Sequence, residues 1–70
     1  MQSKLIILRK ESGVRQHELA TMLGISDKSY SFKELGKVEF KASEMFKIAQ
    51  YFNKKIDDIF IPYIVQNGVK

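Results

Sequence analysis

Apolar residues recur along most of this chain at the three- and four-residue spacing of an α-helix, and no segment shows the strict alternation of a strand. Glycine and asparagine, which readily take the left-handed conformation that ends a helix, interrupt the pattern. The pattern predicts five short helices, at about residues 3–12, 16–23, 27–35, 42–52 and 56–60. The chain is therefore expected to be all-α.

The residues at the predicted helix ends vary in their capping ability. Ser3 and Ser26 carry hydroxyls that can cap the first and third helices. Arg15 precedes the second helix and has no capping oxygen, so the first amides of that helix would need water, an upstream side chain or a phosphate. The predicted helix stops are Gly13, Gly24, Gly36 and Asn53.

Several apolar positions are expected to face a common core. Leu5 and Leu8 face inward from the first helix, and Tyr30 is the inward anchor of the third. Residues 37–41 are expected to be a linker. The fourth helix shows the clearest 3.6-residue period, formed by Ala42, Met45, Ile48, Ala49 and Phe52.

The most informative segment is 16–37, QHELATMLGISDKSYSFKELGK. Leu19, Ala20 and Leu23 form one helical face, and Ala20 is small where a second helix would cross. Gly24 allows the chain to reverse into the next helix. This arrangement predicts a helix-turn-helix, which can present its second helix to a DNA groove. An ordinary helical hairpin in a small bundle is the alternative.

The composition limits both how this chain can be stabilised and what it can bind. A chain of 70 residues supports one small core, and without cysteine it has no disulfide or thiolate zinc site to stabilise it, so dimerisation is the remaining common support. The absence of cysteine also fits a reducing cytoplasm. The net charge of +4 fits a polyanionic partner as well as an ordinary solvated surface. No apolar run is long enough for a signal peptide or a membrane span.

The chain resembles the XRE-type helix-turn-helix family, which includes phage repressor and Cro DNA-binding domains. The resemblance covers about residues 4–60, and its pieces occur in the family's order and spacing. They are LRKE at 8–11 with Gly13, QHELA at 16–20, LGIS at 23–26, Tyr30-Ser31, ELGK at 34–37, KIA at 47–49 and IDDIF at 56–60. The resemblance implies a compact five-helix, λ-repressor-like domain over residues 1–61, followed by a short tail at 62–70.

The resemblance also implies residue roles. The third helix matches the family's reading helix, the one that contacts the bases. Gln16 matches a residue that bonds a phosphate and braces this reading helix, and Lys37 matches a loop position that touches phosphate. Arg9 and Glu34 match a structural salt bridge between the first and third helices. The positions that match residues facing the major groove or lying beside it are Ser26, Asp27, Lys28, Ser31 and Phe32.

The groove-facing positions hold unusual residues for this family. Asp27 places a negative charge close to the bases, where it can accept from cytosine N4 but also repels phosphates. Phe32 is apolar and can pack on a thymine methyl. A basic set surrounds the reading helix and is expected to clamp phosphates: Arg15, Lys28, Lys33, Lys37 and Lys41.

The remaining polar side chains do not indicate a catalytic, metal-binding or cofactor-binding site. His17 can touch a phosphate when protonated or be an exposed residue without a special role. Ser29 and Ser31 have no accompanying base and orienting acid, so no catalytic residue is expected. The chain shows no metal-ligand spacing, and no cofactor or small-molecule ligand is expected.

The last apolar residues raise the question of oligomeric state. We expect the set Phe60, Ile61, Tyr63 and Ile64 either to form a dimer or partner surface or to fold back over the chain's own core. Dimerisation suits a family that binds two DNA half-sites about 34 Å apart.

The sequence is compatible with two functions. The first is a small sequence-specific regulator of transcription, repressor- or Cro-like, of prophage or mobile-element origin, acting on double-stranded operator DNA in a bacterial nucleoid. The second is a phage anti-repressor or modulator that uses the same fold to bind a repressor protein. Asp27 and Phe32 on the reading helix favour the second.

Overall fold

The computed structural model describes residues 1–61, which form five α-helices and no strand. The helices are Ser3–Glu11 (α1), Gln16–Leu23 (α2), Asp27–Leu35 (α3), Ala42–Phe52 (α4) and Ile56–Ile59 (α5). The predicted bounds of α2, α3 and α4 are confirmed, while α1 and α5 end one residue earlier than expected. The predicted tail at 62–70 lies outside the described residues, so the boundary after residue 61 stays a prediction.

One core joins all five helices. Its fully buried members are Leu5, Leu19, Ala20, Tyr30, Ile48 and Ile59. The connection between α3 and α4, predicted only as a linker, adds Phe40 to the core. The Phe40 ring meets Tyr30 edge-on at 5.9 Å between centroids and Phe60 at 5.1 Å. Edge-to-face aromatic pairs of this kind stabilise a core beyond their area burial.

Of the two alternatives for Phe60, a partner surface or the chain's own core, the structure shows the core. Its side chain is only 4% exposed and belongs to the core, so it offers nothing to a partner. The reason is that the chain leaves α5 in an extended conformation at Phe60, with α5 itself packed on α1 and α4. Ile61 is half-buried. Tyr63 and Ile64 lie outside the described residues.

Two further expectations are wrong. Ser3 does not cap α1, because the helix already includes it and the capping position belongs to Gln2, which makes no side-chain capping bond. Ala42 is exposed because it opens α4 before the helix reaches the core, whereas Met45 is half-buried and Ile48 fully buried.

Glutamates at the third position of α2 and α4 compensate for the missing capping oxygens. The backbone N–H of Arg15 donates to Glu18 Oε1 at 2.8 Å, and that of Lys41 donates to Glu44 Oε1 at 2.8 Å. These bonds are half of the reciprocal capping box, and they place a negative charge near each helix N-terminus. The start of α2 therefore has an acceptor from within its own first turn.

Candidate nucleic-acid interface

A three-residue turn sets the angle between α2 and α3. Gly24 ends α2 at φ +73°, and the N–H of Ile25 donates back to the carbonyl of Ala20 at 3.0 Å. Ser26 then caps α3, since its Oγ accepts the N–H of Ser29 at 3.0 Å. The predicted cap and stop are both confirmed, so α3 begins directly after the turn with its first residues exposed.

The two sides of α3 differ in burial. Tyr30, Lys33 and Glu34 lie at helical spacing and are buried. Asp27 and Lys28 at the start of the helix are exposed. Ser31 and Phe32 are half-buried beside them. The helix is thus attached by one face and presents the other to solvent.

A buried ionic network attaches α3 to α1 and α2. Arg9 Nε donates to Glu34 Oε2 at 2.6 Å and Arg9 Nη2 donates to Oε1 at 3.2 Å, so the predicted ion pair is present and bidentate. Tyr30 Oη donates to Oε2 at 2.8 Å, and Gln16 Nε2 donates to Oε1 at 2.8 Å. Four donors therefore converge on one carboxylate, and those of Arg9 and Gln16 fix the end of α3 against two other helices.

Burial and the adjacent Glu34 carboxylate raise the pKa of Tyr30 above its ordinary value of 10.0. The phenol therefore stays protonated and continues to donate to Glu34 across the physiological range. The network holds one negative charge on Glu34, which Arg9 neutralises.

Two lysines lie over the ring of Phe32. Lys28 Nζ is 5.8 Å from the ring centroid, and Lys37 Nζ is 5.2 Å from it. These distances are within reach of a cation–π contact. The outer side of α3 therefore combines an apolar surface with positive charge.

Asp27 is the negative group in this region, and it has a partner that the sequence pattern does not predict. Nδ1 of His17, in the first turn of α2, lies 2.8 Å from Asp27 Oδ1 and 3.1 Å from Oδ2. Ten residues separate the two in sequence. Their contact depends on the turn angle, which no local pattern reveals.

These features are those of a helix-turn-helix with an exposed second helix, and the Helix-turn-helix family model matches residues 5–59. The chain belongs to the XRE-type helix-turn-helix family. The fold predicted from the sequence is confirmed.

Relatives carry the same domain over nearly their whole length. An uncharacterized HTH-type transcriptional regulator of Methanocaldococcus jannaschii is 39% identical over 61 residues, which cover 87% of this chain and 92% of the relative. One from Archaeoglobus fulgidus is 34% identical over 61 residues, which cover 87% of each chain.

The crystal structure of a transcriptional regulator from Listeria innocua has a similar fold. The match covers 97% of this chain and 68% of the Listeria chain, with a TM-score of 0.78. At 19% sequence identity, this likeness shows the shared fold.

Within this helix-turn-helix, most of the predicted site residues are accessible on α2, α3 and the loop that follows. Arg15, His17, Ser26, Asp27, Lys28, Lys37 and Lys41 are exposed, and Gln16, Ser31 and Phe32 are half-buried. Their exposure is what DNA contact requires.

Lys33 is the exception and corrects the predicted phosphate clamp. It is buried, and its Nζ donates to Glu44 Oε1 at 2.9 Å and to the carbonyl of Glu39 at 3.4 Å. A lysine so engaged is unavailable to phosphate. A signal was present in the sequence, because Lys33 follows the inward-facing Tyr30 by three residues and so lies on the same side of α3.

No group of three or more metal-ligating side chains occurs within residues 1–61. Across the same residues, no helix combines the length and the apolar character that crossing a bilayer requires.

Proposed function

We propose that this chain is a DNA-binding regulator of transcription that inserts α3 into the major groove of operator DNA. The observation that carries the proposal is the construction of α3, whose inner face is fixed by the Glu34 network while Asp27, Lys28 and Phe32 remain accessible. A helix held this rigidly on one side can place its other side against base edges. The archaeal relatives, which are named as HTH-type transcriptional regulators, support the same function.

Lys28 and Phe32 are proposed to contact bases. A lysine can donate to the guanine O6 and N7 acceptors, and an aromatic ring can pack against a thymine methyl. Lys28 and Lys37 both lie over the Phe32 ring, so on binding one ammonium can turn towards a base and the other towards a phosphate, which uncovers the ring for contact with a base.

Phosphate contacts are proposed on both sides of α3. Gln16 donates one amide hydrogen to Glu34 and retains a second for a phosphate oxygen. Arg15, Lys37 and Lys41 are exposed cations in the same region, and Ser26 and Ser31 offer hydroxyls. Such contacts set the register of the protein on the duplex and make affinity depend steeply on salt.

We further propose that two copies bind two half-sites, since palindromic operators match a two-fold dimer. Phe46 is 62% exposed and Tyr51 is 48% exposed on α4, so apolar surface is available for such a contact. A repressor- or Cro-like action and a prophage origin stay predictions, as does contact through Tyr63 and Ile64.

The deciding experiment titrates the purified chain against duplex DNA from upstream of its own gene, with scrambled DNA as control, at several salt concentrations. Sequence-dependent binding that weakens steeply with salt is expected. Lys28→Ala should lose about 1–3 kcal/mol on the operator and relax one base position, whereas Lys37→Ala should weaken all sequences and reduce the salt slope by about 1. Lys54→Ala, an exposed lysine beyond the end of α4, is the matched control and should bind normally.

Weak binding that is equal on both DNAs contradicts this function. It would favour the alternative in which the same surface binds a repressor protein, which the exposed Asp27 and the apolar Phe32 suit. That alternative predicts capture of a repressor's DNA-binding domain, lost in Phe32→Ala.

A further inference from the structure

The pair formed by His17 and Asp27 contributes little to holding the fold together. The two side chains are 73% and 63% exposed, and exposed ion pairs typically contribute less than about 1 kcal/mol to stability. The pair nevertheless joins the first turn of α2 to the first residue of α3, at the end of the helix that is proposed to enter the groove.

The geometry leaves Asp27 able to accept another hydrogen bond. An Nδ1–H of His17 lies within hydrogen-bond distance of both carboxylate oxygens, at 2.8 and 3.1 Å. A carboxylate has about four lone-pair positions, so a shared donor leaves others free. The imidazole limits the rotation of the carboxylate and supplies a donor dipole directed at its negative charge.

The contact with His17 reduces the repulsion between the Asp27 carboxylate and DNA phosphates. Phosphates would repel an isolated Asp27 carboxylate. Its side chain would also lose conformational entropy when it adopts a single orientation against a base. With His17 donating to it, and with the N-terminus of α3 also favouring negative charge at this position, the carboxylate is partly compensated before any DNA arrives.

We propose that His17 is a positioning residue that holds Asp27 to accept a hydrogen bond from the N4 amino group of cytosine in the major groove. Cytosine presents this donor, whereas guanine presents two acceptors that a carboxylate repels. Adenine also has an amino donor, but its N7 acceptor lies beside it and disfavours a carboxylate. The proposal rests on the proposed DNA-binding function and names one base that the site selects.

The experiment selects bound sequences from a randomised duplex library with the full chain and four variants. The wild-type motif should contain a position dominated by cytosine. Asp27→Asn should change that position towards adenine, whose N6 and N7 groups suit an amide. His17→Ala should lower the preference for cytosine at that position by at least about fivefold while leaving the other positions of the motif unchanged.

A second substitution at His17 distinguishes a positioning role from a merely structural one. His17→Asn keeps an N–H donor near the place of Nδ1, so it should restore most of the cytosine preference that His17→Ala loses. Thr21→Ala, another exposed residue of α2, is the matched control and should leave the motif intact. Thermal unfolding of all variants should match the wild type, because the substituted side chains are exposed.

Each outcome has a distinct meaning. If the wild type enriches no motif, the DNA-binding function fails and this proposal fails with it. If a motif is enriched but His17→Ala leaves every base preference unchanged, or weakens binding to all sequences equally, the positioning role of His17 is overturned while the regulator function stands. If Asp27→Asn leaves the cytosine position unchanged, Asp27 is not the group that selects it.

Discussion

At the scale of single residues, charges are placed inside this small domain only where partners satisfy them. Glu34 accepts from Arg9, Tyr30 and Gln16, and Lys33 donates to Glu44. A buried charge without a partner destabilises a protein by several kcal/mol, so both groups depend on the packing of elements distant in sequence.

Glu44 combines two tasks. Burial alone would raise the pKa of its carboxyl, but the backbone N–H of Lys41 and the ammonium of Lys33 both donate to it, and together they lower the pKa below its ordinary value of 4.5. The same oxygen thus caps α4 and neutralises the lysine on α3. Its ionised form is the one that stabilises the fold.

We therefore predict that Glu44→Gln lowers the free energy of unfolding at pH 7 by about 2 kcal/mol, since an amide replaces a charged acceptor. Because folding depresses the pKa of Glu44, its stabilising effect is fully present above pH 4.5 and is lost as the pH falls through the folded-state pKa. Urea unfolding from pH 7 to pH 3 should show the difference between variant and wild type shrinking at the acid end.

The control for this series is Glu39→Gln, whose side chain is exposed and which should stay within about 0.5 kcal/mol of the wild type at each pH. A difference between Glu44→Gln and wild type that is constant over the whole range would show that ionisation of Glu44 does not contribute.

At the scale of elements, glycines with left-handed backbones end three of the helical segments, yet their surroundings differ. An added Cβ meets nothing within 4 Å at Gly13 (φ +71°) and Gly24 (φ +73°). At Gly36 (φ +86°) it would lie 2.9 Å from the backbone nitrogen of Met1. The end of α3 therefore packs closely against the start of the chain.

Substitution by alanine should separate conformational strain from steric contact. Gly13→Ala and Gly24→Ala should each destabilise the protein by about 1–2 kcal/mol, the cost of a left-handed conformation for an L-residue. Gly36→Ala should cost at least about 1 kcal/mol more, because displacing Met1 strains the hydrogen bond from Gln2 N to the Glu34 carbonyl, 2.8 Å long. Urea unfolding measures all three, and equal values for Gly36 and Gly24 would refute the steric contribution.

At the scale of the whole molecule, Gln2 connects the start of the chain to two distant segments. It is 2% exposed, and its backbone N–H bonds to the carbonyl of Glu34 at the end of α3. Its side chain accepts from the N–H of Ile61 at 2.7 Å and donates to the carbonyl of Ile61 at 3.2 Å. The first residues thereby link the proposed recognition helix to the segment after α5.

Gln2→Ala should lower the free energy of unfolding by about 1–3 kcal/mol, because it leaves the backbone groups of Ile61 without these partners. Ser3→Ala is its matched control, since Ser3 is exposed and does not cap α1, and it should remain within about 0.5 kcal/mol of wild type. Thermal and urea unfolding provide the measurement, and a larger loss in Ser3→Ala than in Gln2→Ala would contradict the assignment of Gln2 as the connecting residue.

Helix positions could be predicted from the sequence because they depend on local rules. Apolar spacing located α2, α3 and α4, Ser26 marked the start of α3, and Gly24 marked the end of α2. The order and spacing of the motifs identified the family and, through it, the ion pair of Arg9 with Glu34.

Residues far apart in sequence were harder to assign. Lys33 was expected on the phosphate-binding surface, and this expectation is wrong because its ammonium is buried against Glu44 of α4. For Phe60 a partner surface and the core were both open, and its contact with Phe40 places it in the core. The burial of Phe40 and Gln2 was equally hidden, since neither lies in a periodic apolar segment.

The helices, the turn between α2 and α3 and the family of the domain could be inferred from the amino-acid sequence, because spacing, caps and glycine stops act over a few residues. Which of the lysines around α3 are buried depends instead on tertiary packing, which buries Lys33 and leaves Lys28 and Lys37 exposed. The pairing of Lys33 with Glu44, of Gln16 with Glu34 and of His17 with Asp27 depends on the angles at which helices cross. Those angles result from core packing among residues that are distant in the chain, so local sequence patterns do not predict them.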